Sequence, residues 1–366
     1  MALSPRTSVL AGPNGQGKTN FLEACYLLTT LRPLRASRLA ELVRFGAGEA
    51  RVRGRFELAG GVREVELALS AGRRVARVDG KAVRDPDELF GGLAVVAFTP
   101  DDLELVKGGP DGRRRLLDRA VQNRHPVHLA DAREYLRALK SRNELLRQGA
   151  RDELREAFDA PLARLGAKLR LRREELLAEL RPQAERAFAE VARGEEPIQL
   201  AYEAAGRESV GLGPEAAREG AAGLEARLLA ALRARLPRDR ERGFTSVGPH
   251  TDDLGIGIGA RPARLYASQG QSRALVLAFK IGEIENLRRT QGRAPLLLLD
   301  DVSSELDPER NAFLMHYLAG LRGQVVLTTT DARLVSAAAK GPPQEAQAAG
   351  FFSVARGRIE PAEPPV

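Results

Sequence analysis

Apolar positions along this chain follow two rhythms, one of period two and one of helical spacing, and they alternate from end to end. Thr7 to Leu10 is a short β-like run. After a glycine-rich stretch, Asn20 to Thr30 (NFLEACYLLTT) spaces its apolar residues as a helix does. Arg51 to Leu69 alternates apolar and polar positions in two runs parted by Gly60-Gly61, and Arg73 to Val83 contains the turn Asp79-Gly80, so antiparallel hairpins are predicted. Leu93 to Phe98 reads as a buried strand that stops at Thr99-Pro100. From about Arg113 to Arg181 glycine becomes scarce, and Phe158, Leu162, Leu165, Leu169, Leu176 and Leu180 keep a helical stripe. Gly149 falls between Leu136-Leu139-Leu146 and that stripe. It predicts two or more antiparallel helices, each of about 25 residues and therefore about 37 Å long. Gly194 to Pro237 is mixed, with a strand-like Ile198 to Tyr202 and a helix bearing Leu224, Leu228, Leu229 and Leu232. Strand character returns at Leu254 to Ile258, and a helix follows from Ser272 to Leu287. Leu296 to Leu299 and Gln324 to Thr329 have the continuous apolar form of strands buried in a parallel sheet. There is no internal repeat, and only the proline-rich tail after Glu360 reads as loose.

Chemistry enters at the glycine-rich stretch. Gly12-Pro13-Asn14-Gly15-Gln16-Gly17-Lys18-Thr19, followed by Asn20, fits the P-loop pattern between its required strand and helix. There the glycines let backbone amides close around phosphate oxygens, and the helix N-terminus adds positive potential. Lys18 is expected to reach the β- and γ-phosphates of ATP, and Thr19 to ligate magnesium. Leu296-Leu297-Leu298-Leu299-Asp300-Asp301 has the form of a Walker B strand, with Asp300 positioning magnesium and Asp301 placed to orient or deprotonate the attacking water. The blander readings are a glycine-rich turn and an acidic helix cap, and neither accounts for both motifs together. Lys18 and Asp300 lie far apart in the chain, unlike the corresponding elements of kinases and small GTPases. Between them, Tyr266-Ala267-Ser268-Gln269-Gly270-Gln271 opens a helix in the manner of an ABC signature, and Ser304-Glu305-Leu306-Asp307 resembles a D-loop. Ser268-Gln269-Gly270-Gln271 alone is also explained as a Ser-capped helix. The order of the four motifs favours the signature.

Composition narrows this reading without redirecting it. A formal net charge of +8 and a pI near 10.0 fit a polyanionic partner, or a GC-rich genome that favours Arg. Aromatic residues make up 5% of the chain and do not interleave with basic ones, so base stacking on single strands is not expected and contact with duplex backbone fits better. Arg113, Arg114 and Arg115, with Arg32, Arg35 and Arg38, are candidate phosphate contacts, although such residues are more often simply solvated. The single cysteine, Cys25, excludes an internal disulfide and a cysteine metal cluster and agrees with a reducing compartment. No apolar run is long enough to span a bilayer and no signal peptide is evident, so a cytoplasmic location without membrane is expected.

Five segments carry a resemblance to a known family: the P-loop ending in GKTN, FTPDDLELVKGGPDGRRRLLD (Phe98 to Asp118), TSVGPHTDDL (Thr245 to Leu254), SQGQ, and LLLLDDVSSELD. Together they resemble the RecF family of bacterial recombination-repair ATPases, related to SMC proteins. The resemblance implies an α/β fold, an ABC-type ATPase head with a mixed sheet, a P-loop and flanking helices, interrupted by a helical arm. The head would comprise residues 1–119 and 243–366, and the arm residues 120–242. It also implies an ATP-dependent homodimer in which Ser268, Gln269, Gly270 and Gln271 of one subunit face the nucleotide held by Lys18 of the other, with Ser304 and Asp307 as the D-loop. Binding to duplex, gapped or junction DNA and cooperation with RecR, RecO and RecA are implied as well.

Three departures from the family pattern stand out. No Gln occupies the Q-loop position at Thr99 to Asp101, and Thr329-Thr330-Asp331 stands where a switch histidine is usual, so hydrolysis is expected to be slow, with ATP acting as a clamp. The stretch before Gly12 is short and broken by Pro5, where relatives carry a longer strand pair. His250, within Gly248-Pro249-His250, is read as a structural histidine. A transporter-type subunit would keep the histidine and the Gln that are missing here, and an SMC-like clamp would need a longer arm.

Overall fold

A computed structural model describes residues 1–35, 39–58, 61–70, 73–83, 93–149, 152–192, 196–205, 218–335 and 349–364. Arg38, Gly60 and Gly194, which figured in the sequence reading, lie outside these residues. The chain divides into two compact units, residues 1–101 with 287–366, and residues 102–286. These boundaries differ from the expected 119 and 242, because the TSVGPHTDDL segment and the Ser268 segment are built into the same unit as the helices.

The first unit is organised on a six-stranded sheet. Its order is Arg358–Ala362, Ala349–Ala355, Thr7–Ala11, Val325–Thr329, Leu296–Asp300 and Val95–Phe98. Only the first pair is antiparallel. The interior strands have continuous apolar runs, as strands covered on both faces require, and Val9, Leu10, Leu297, Leu298 and Val326 are fully buried. The register sets Leu10 opposite Thr328 and Asp300 opposite Thr328, so the P-loop and the two acids leave the sheet at the same edge. Thr7–Ala11 is an internal strand, with neighbours on both sides despite the short stretch before it.

A second, antiparallel sheet of four strands runs Glu49–Leu58, Gly61–Ser70, Arg73–Val78 and Lys81–Val83, with Asp79 and Gly80 at positive φ in the expected hairpin turn. Helix Lys18–Thr30 serves both sheets. Leu22 and Tyr26 join the cluster of Leu10, Val95, Leu298 and Val326, whereas Leu27 and Leu28, with Leu31 just beyond, join Val65, Leu67 and Leu69 of the antiparallel sheet. A helix with two covered faces has little room for polar positions, which explains its apolar run.

The second unit contains helices Pro110–Gln122, His128–Arg147, Asp152–Ala192, Gly220–Ala234 and Leu236–Arg242 and a three-stranded antiparallel sheet of Ile198–Glu203, Asp253–Ile258 and Arg261–Pro262. Ion pairs Arg142–Asp159 and Arg172–Asp131 fix His128–Arg147 and Asp152–Ala192 as antiparallel neighbours. The two differ from the expected equal pair. The first has 20 residues and the second 41, about 60 Å, and Pro161 and Pro182 lie inside the long helix. The long helix is no free rod, since Pro110–Gln122, Gly220–Ala234 and Ile198–Glu203 also pack on it. Leu162, Leu165 and Leu169 meet Tyr135, Leu139, Leu224, Leu228 and Val247 in one core.

That core is stitched by buried ions that the sequence reading did not single out. Arg170 and Asp252, 1% and 0% exposed, pair through two bonds of 2.9 and 2.7 Å, and Tyr202 Oη and the Ala205 N–H donate to the same carboxylate. Arg173 bonds Asp118 and the Pro249 carbonyl. Arg142 donates to Asp159, Asp239 and the Thr245 hydroxyl. Burial acts to raise the Asp118 pKa, but the guanidinium of Arg173 and a hydrogen bond from His128 outweigh it and hold the value at about 2. His250 Nε2 lies 3.0 Å from the Thr245 carbonyl and must donate to it. Its Nδ1 therefore accepts from Tyr135 Oη at 2.6 Å, in a neutral ring whose pKa burial pushes down. The histidine is structural, as expected.

Candidate functional site

At the carboxyl edge of the six-stranded sheet the P-loop takes the shape its glycines permit. Gly15 and Gly17 have φ of 75° and 103°, values that residues with a Cβ rarely adopt. Gly12 answers a different need. A Cβ there would lie 2.3 Å from the Val354 carbonyl oxygen, so only glycine lets strand Ala349–Ala355 pass. The Gly12 N–H donates to Thr329 O at 3.2 Å, and the Gly357 N–H donates to Gln16 O at 2.9 Å, so the loop is tied on both sides. Lys18, 6% exposed, folds its ammonium back onto the carbonyls of Gly12 and Pro13 at 2.5 and 3.0 Å. Asn14 is exposed, and Asn20 lies in the first turn of the helix.

Thr19 and Asp300, remote in sequence, meet. Thr19 Oγ1 donates to Asp300 Oδ1 at 2.9 Å, and Thr328 Oγ1 donates to the same oxygen at 3.0 Å. Thr328 also accepts from the Asp301 N–H at 3.0 Å. Asp301 itself is strained, with φ 50°, and its Oδ1 is buried without a hydrogen-bond partner. A carboxylate oxygen left unsatisfied in a site is costly unless a ligand completes it. A hydroxyl paired with a carboxylate, an unsatisfied second acid and a buried ammonium make a donor set suited to a phosphate and a hard, oxygen-loving cation such as magnesium.

The structure adds Glu23, which the sequence reading did not single out, and gives Arg35 a different partner. Glu23 accepts the backbone N–H groups of Leu34 and Arg35, which sets Arg35 beside the site. The Arg35 guanidinium then donates to Asp101 at 3.2 Å and lies 3.6 Å from Asp300 Oδ2. Of the Arg32, Arg35 and Arg38 set, Arg35 is thus committed to carboxylates. At the position of the missing switch histidine, the Asp331 carboxylate is engaged by Arg333, and the Thr329 hydroxyl bonds Asp331 locally.

Ser268 and Gln271, in the second unit, form a reciprocal capping box on helix Gln269–Gln291. The Ser268 hydroxyl accepts from the Gln271 N–H at 3.1 Å, and the Gln271 side chain accepts from the Ser268 N–H at 2.9 Å. Gln269 and Gly270 follow in the first turn, and Ser268 is exposed, with Leu265 and Tyr266 exposed just before it. In the D-loop, Ser304 Oγ donates to Asp301 O at 2.9 Å, and Asp307 caps helix Pro308–Gly320 through the Arg310 N–H.

The basic triplet needs correction. Arg113, 5% exposed, makes two 2.7 Å bonds to Asp253 and one to the Gly108 carbonyl, so it is an internal strut and not a DNA contact. Arg114 is engaged by the Asp252 carbonyl and by Asp111. Of the three, only Arg115, 65% exposed in its side chain and 3.9 Å from the exposed Glu104 carboxylate, lies at the surface.

The RecF/RecN/SMC N terminal domain family matches residues 1–346. The DNA replication and repair protein RecF of Anaeromyxobacter sp. (strain K) is 58% identical over 365 residues, covering 99% of this chain and 94% of that protein. The protein of the same name from Myxococcus xanthus (strain DK1622) is 57% identical over 338 residues, 92% of this chain and 88% of that protein. Among solved structures, the recombination mediator protein RecF with ATPrS, of the RecFOR pathway, superposes with a TM-score of 0.85 at 30% identity, covering 99% of this chain and 94% of that one. An Smc head bound to the C-winged helix domain of ScpA shares the fold, with a TM-score of 0.54 at 17% identity. With a family match over most of its length and relatives more than half identical to it almost throughout, the chain belongs to the RecF family.

Proposed function

We propose that the chain is an ATP-dependent DNA-binding protein of recombinational repair and replication, in which bound ATP closes two copies into a dimer on duplex, gapped or junction DNA. The observation that carries this reading is the meeting of Thr19 with Asp300 beside a buried Lys18, which completes a nucleotide site from distant parts of the chain.

In this site the Gly15 to Thr19 amides and Lys18 bind phosphate, and the Lys18 ammonium exchanges its two carbonyl partners for phosphate oxygens. Thr19 and Asp300 would hold magnesium, which when bound neutralises charge between the β- and γ-phosphates. Asp301, with an unsatisfied oxygen, orients or deprotonates the attacking water. Ser268 and its neighbours, exposed on a helix start, act on the nucleotide of the partner copy. No histidine stands at Thr329-Thr330-Asp331, and the Asp331 acid there is held by Arg333, which supports slow hydrolysis and a clamp-like use of ATP. The solved RecF that superposes on this chain is a recombination mediator of the RecFOR pathway, which supports RecR and RecO as partners and, through them, RecA. Among the described residues no helix is long and apolar enough to cross a membrane, and none of this reading needs one.

Binding of a fluorescent ATP analogue, light scattering and ATPase assays with and without duplex DNA test the proposal. Lys18→Ala abolishes binding and dimerisation, and Ser268→Arg keeps binding but stays monomeric. An ATP-independent oligomeric state together with no DNA stimulation would sink the proposal, and normal dimerisation of Ser268→Arg would sink its in-trans arrangement.

A further inference from the structure

The hairpin of Ala349–Ala355 and Arg358–Ala362 closes through Arg356 and Gly357, with φ of 49° and 75°. Two successive left-handed residues make a type I′ turn, where Asn, Asp or Gly is favoured at the first position and arginine is not. Four non-glycine residues of the described chain have positive φ, and three have their side chains engaged or seated in the site. Leu31 is buried in the core, Asp79 accepts from Arg63 and the Glu64 N–H, and Asp301 stands beside Asp300. Arg356 is exposed, and its guanidinium has no hydrogen-bond or ion-pair partner among the described residues.

Its backbone, by contrast, is fixed to the P-loop. The Arg356 N–H donates to the Gln16 side chain at 2.7 Å, and the Gly357 N–H donates to the Gln16 carbonyl at 2.9 Å. Gly357 Cα would lie 3.5 Å from a Cβ on Gly17, and Val354 abuts Gly12. The turn therefore lies along the loop from Gly12 to Gly17, the residues whose amides face phosphate in this motif. We propose that Arg356 is a nucleotide-binding residue whose guanidinium, delivered by this hairpin, binds phosphate oxygens of the nucleotide seated in the P-loop. A planar fork of donors suits phosphate in a way the point charge of Lys18 does not. The strained turn position is tolerated because it aims that fork. The proposal rests on the P-loop being a nucleotide site.

The test uses the full chain with Arg356→Gly and Arg356→Asn, both suited to positive φ, and Arg356→Lys. Melting temperature is read without nucleotide, and affinity is read for ATP and for inorganic tripolyphosphate. The Gly and Asn variants keep or raise the melting temperature yet bind both ligands about tenfold more weakly, with Lys intermediate. Affinity within twofold of wild type in the Gly and Asn variants overturns the proposal, as does a melting temperature that falls along with affinity, the mark of a purely structural turn. ATP weakened with tripolyphosphate unchanged overturns the phosphate assignment in favour of a nucleoside contact. Failure of the wild type to bind ATP, by contrast, removes the P-loop reading itself.

Discussion

Replacing Asp252 by Asn removes one charge and almost no volume, and the structure makes the cost large. All four groups that meet this carboxylate are donors: Arg170 Nε and Tyr202 Oη on Oδ2, and Arg170 Nη2 and the Ala205 N–H on Oδ1. Whichever way the Asn amide turns, its NH2 faces two of them. Arg170, 1% exposed, is left as an uncompensated buried cation. Breaking one partner of a buried ion pair costs about 3–5 kcal/mol. With a urea slope of about 2–3 kcal/mol per molar, the midpoint should fall by about 1–2.5 M. Urea titration followed by far-UV circular dichroism reads this directly. The double variant Asp252→Leu with Arg170→Met, which removes both charges, should regain more than half of the loss, because the penalty lies in the orphaned charge and not in the missing pair. A midpoint for Asp252→Asn within the error of wild type would refute the reasoning, and so would a double variant less stable than the single one.

Three further outcomes are expected. Asp118 has a folded pKa of about 2 against an ordinary 3.8, and a depressed carboxylate contributes stability above its unfolded pKa that disappears as pH falls through the folded one. Stability should thus drop by about 2 kcal/mol between about pH 4 and pH 2, and Asp118→Asn should flatten that slope in acid titrations of the urea midpoint. Thr328→Val removes a hydroxyl that bridges Asp300 and the Asp301 N–H and should lower stability by about 1–3 kcal/mol by thermal melt, with weaker magnesium-dependent ATP binding; an unchanged melt would refute the bridge. Gly12→Ala places a methyl against the Val354 carbonyl and should cost about 1–3 kcal/mol and ATP affinity together, whereas retained affinity would show that the hairpin yields.

What the sequence made legible was local or repetitive. The P-loop, the Walker B run ending in Asp300 and the Asp79-Gly80 turn are short patterns whose conformation depends on residues next to one another. The Ser268 capping box belongs with them, since its two bonds span three residues. The long-range partners were invisible. Nothing near Arg170, Arg173 or Arg142 distinguishes them from arginines on a wet helix face, and only the arrival of Asp252, Asp118 and Asp239 makes their burial affordable. Arg113 misled for the same reason, because its partner Asp253 is distant in sequence. Pro161 and Pro182 lie inside helix Asp152–Ala192 without ending it, because its covered faces hold it in place. The compact units also crossed the expected boundaries, because chain order does not reveal that strand Asp253–Ile258 pairs with Ile198–Glu203.

The place of strand Thr7–Ala11 bears on how the protein is made. Its two hydrogen-bonded neighbours, Val325–Thr329 and Ala349–Ala355, come more than 300 residues later. The strand that carries the P-loop is thus synthesised long before either of the strands it pairs with. Loop closure over such a span is slow, and an apolar strand waiting with open edges invites mispairing. The unit of residues 102–286 is one continuous stretch of chain and can form while Thr7–Ala11 waits. Deletion of strand Ala349–Ala355 should therefore cripple the distant P-loop that follows Thr7–Ala11, and newborn chains should lean on chaperones until that strand emerges.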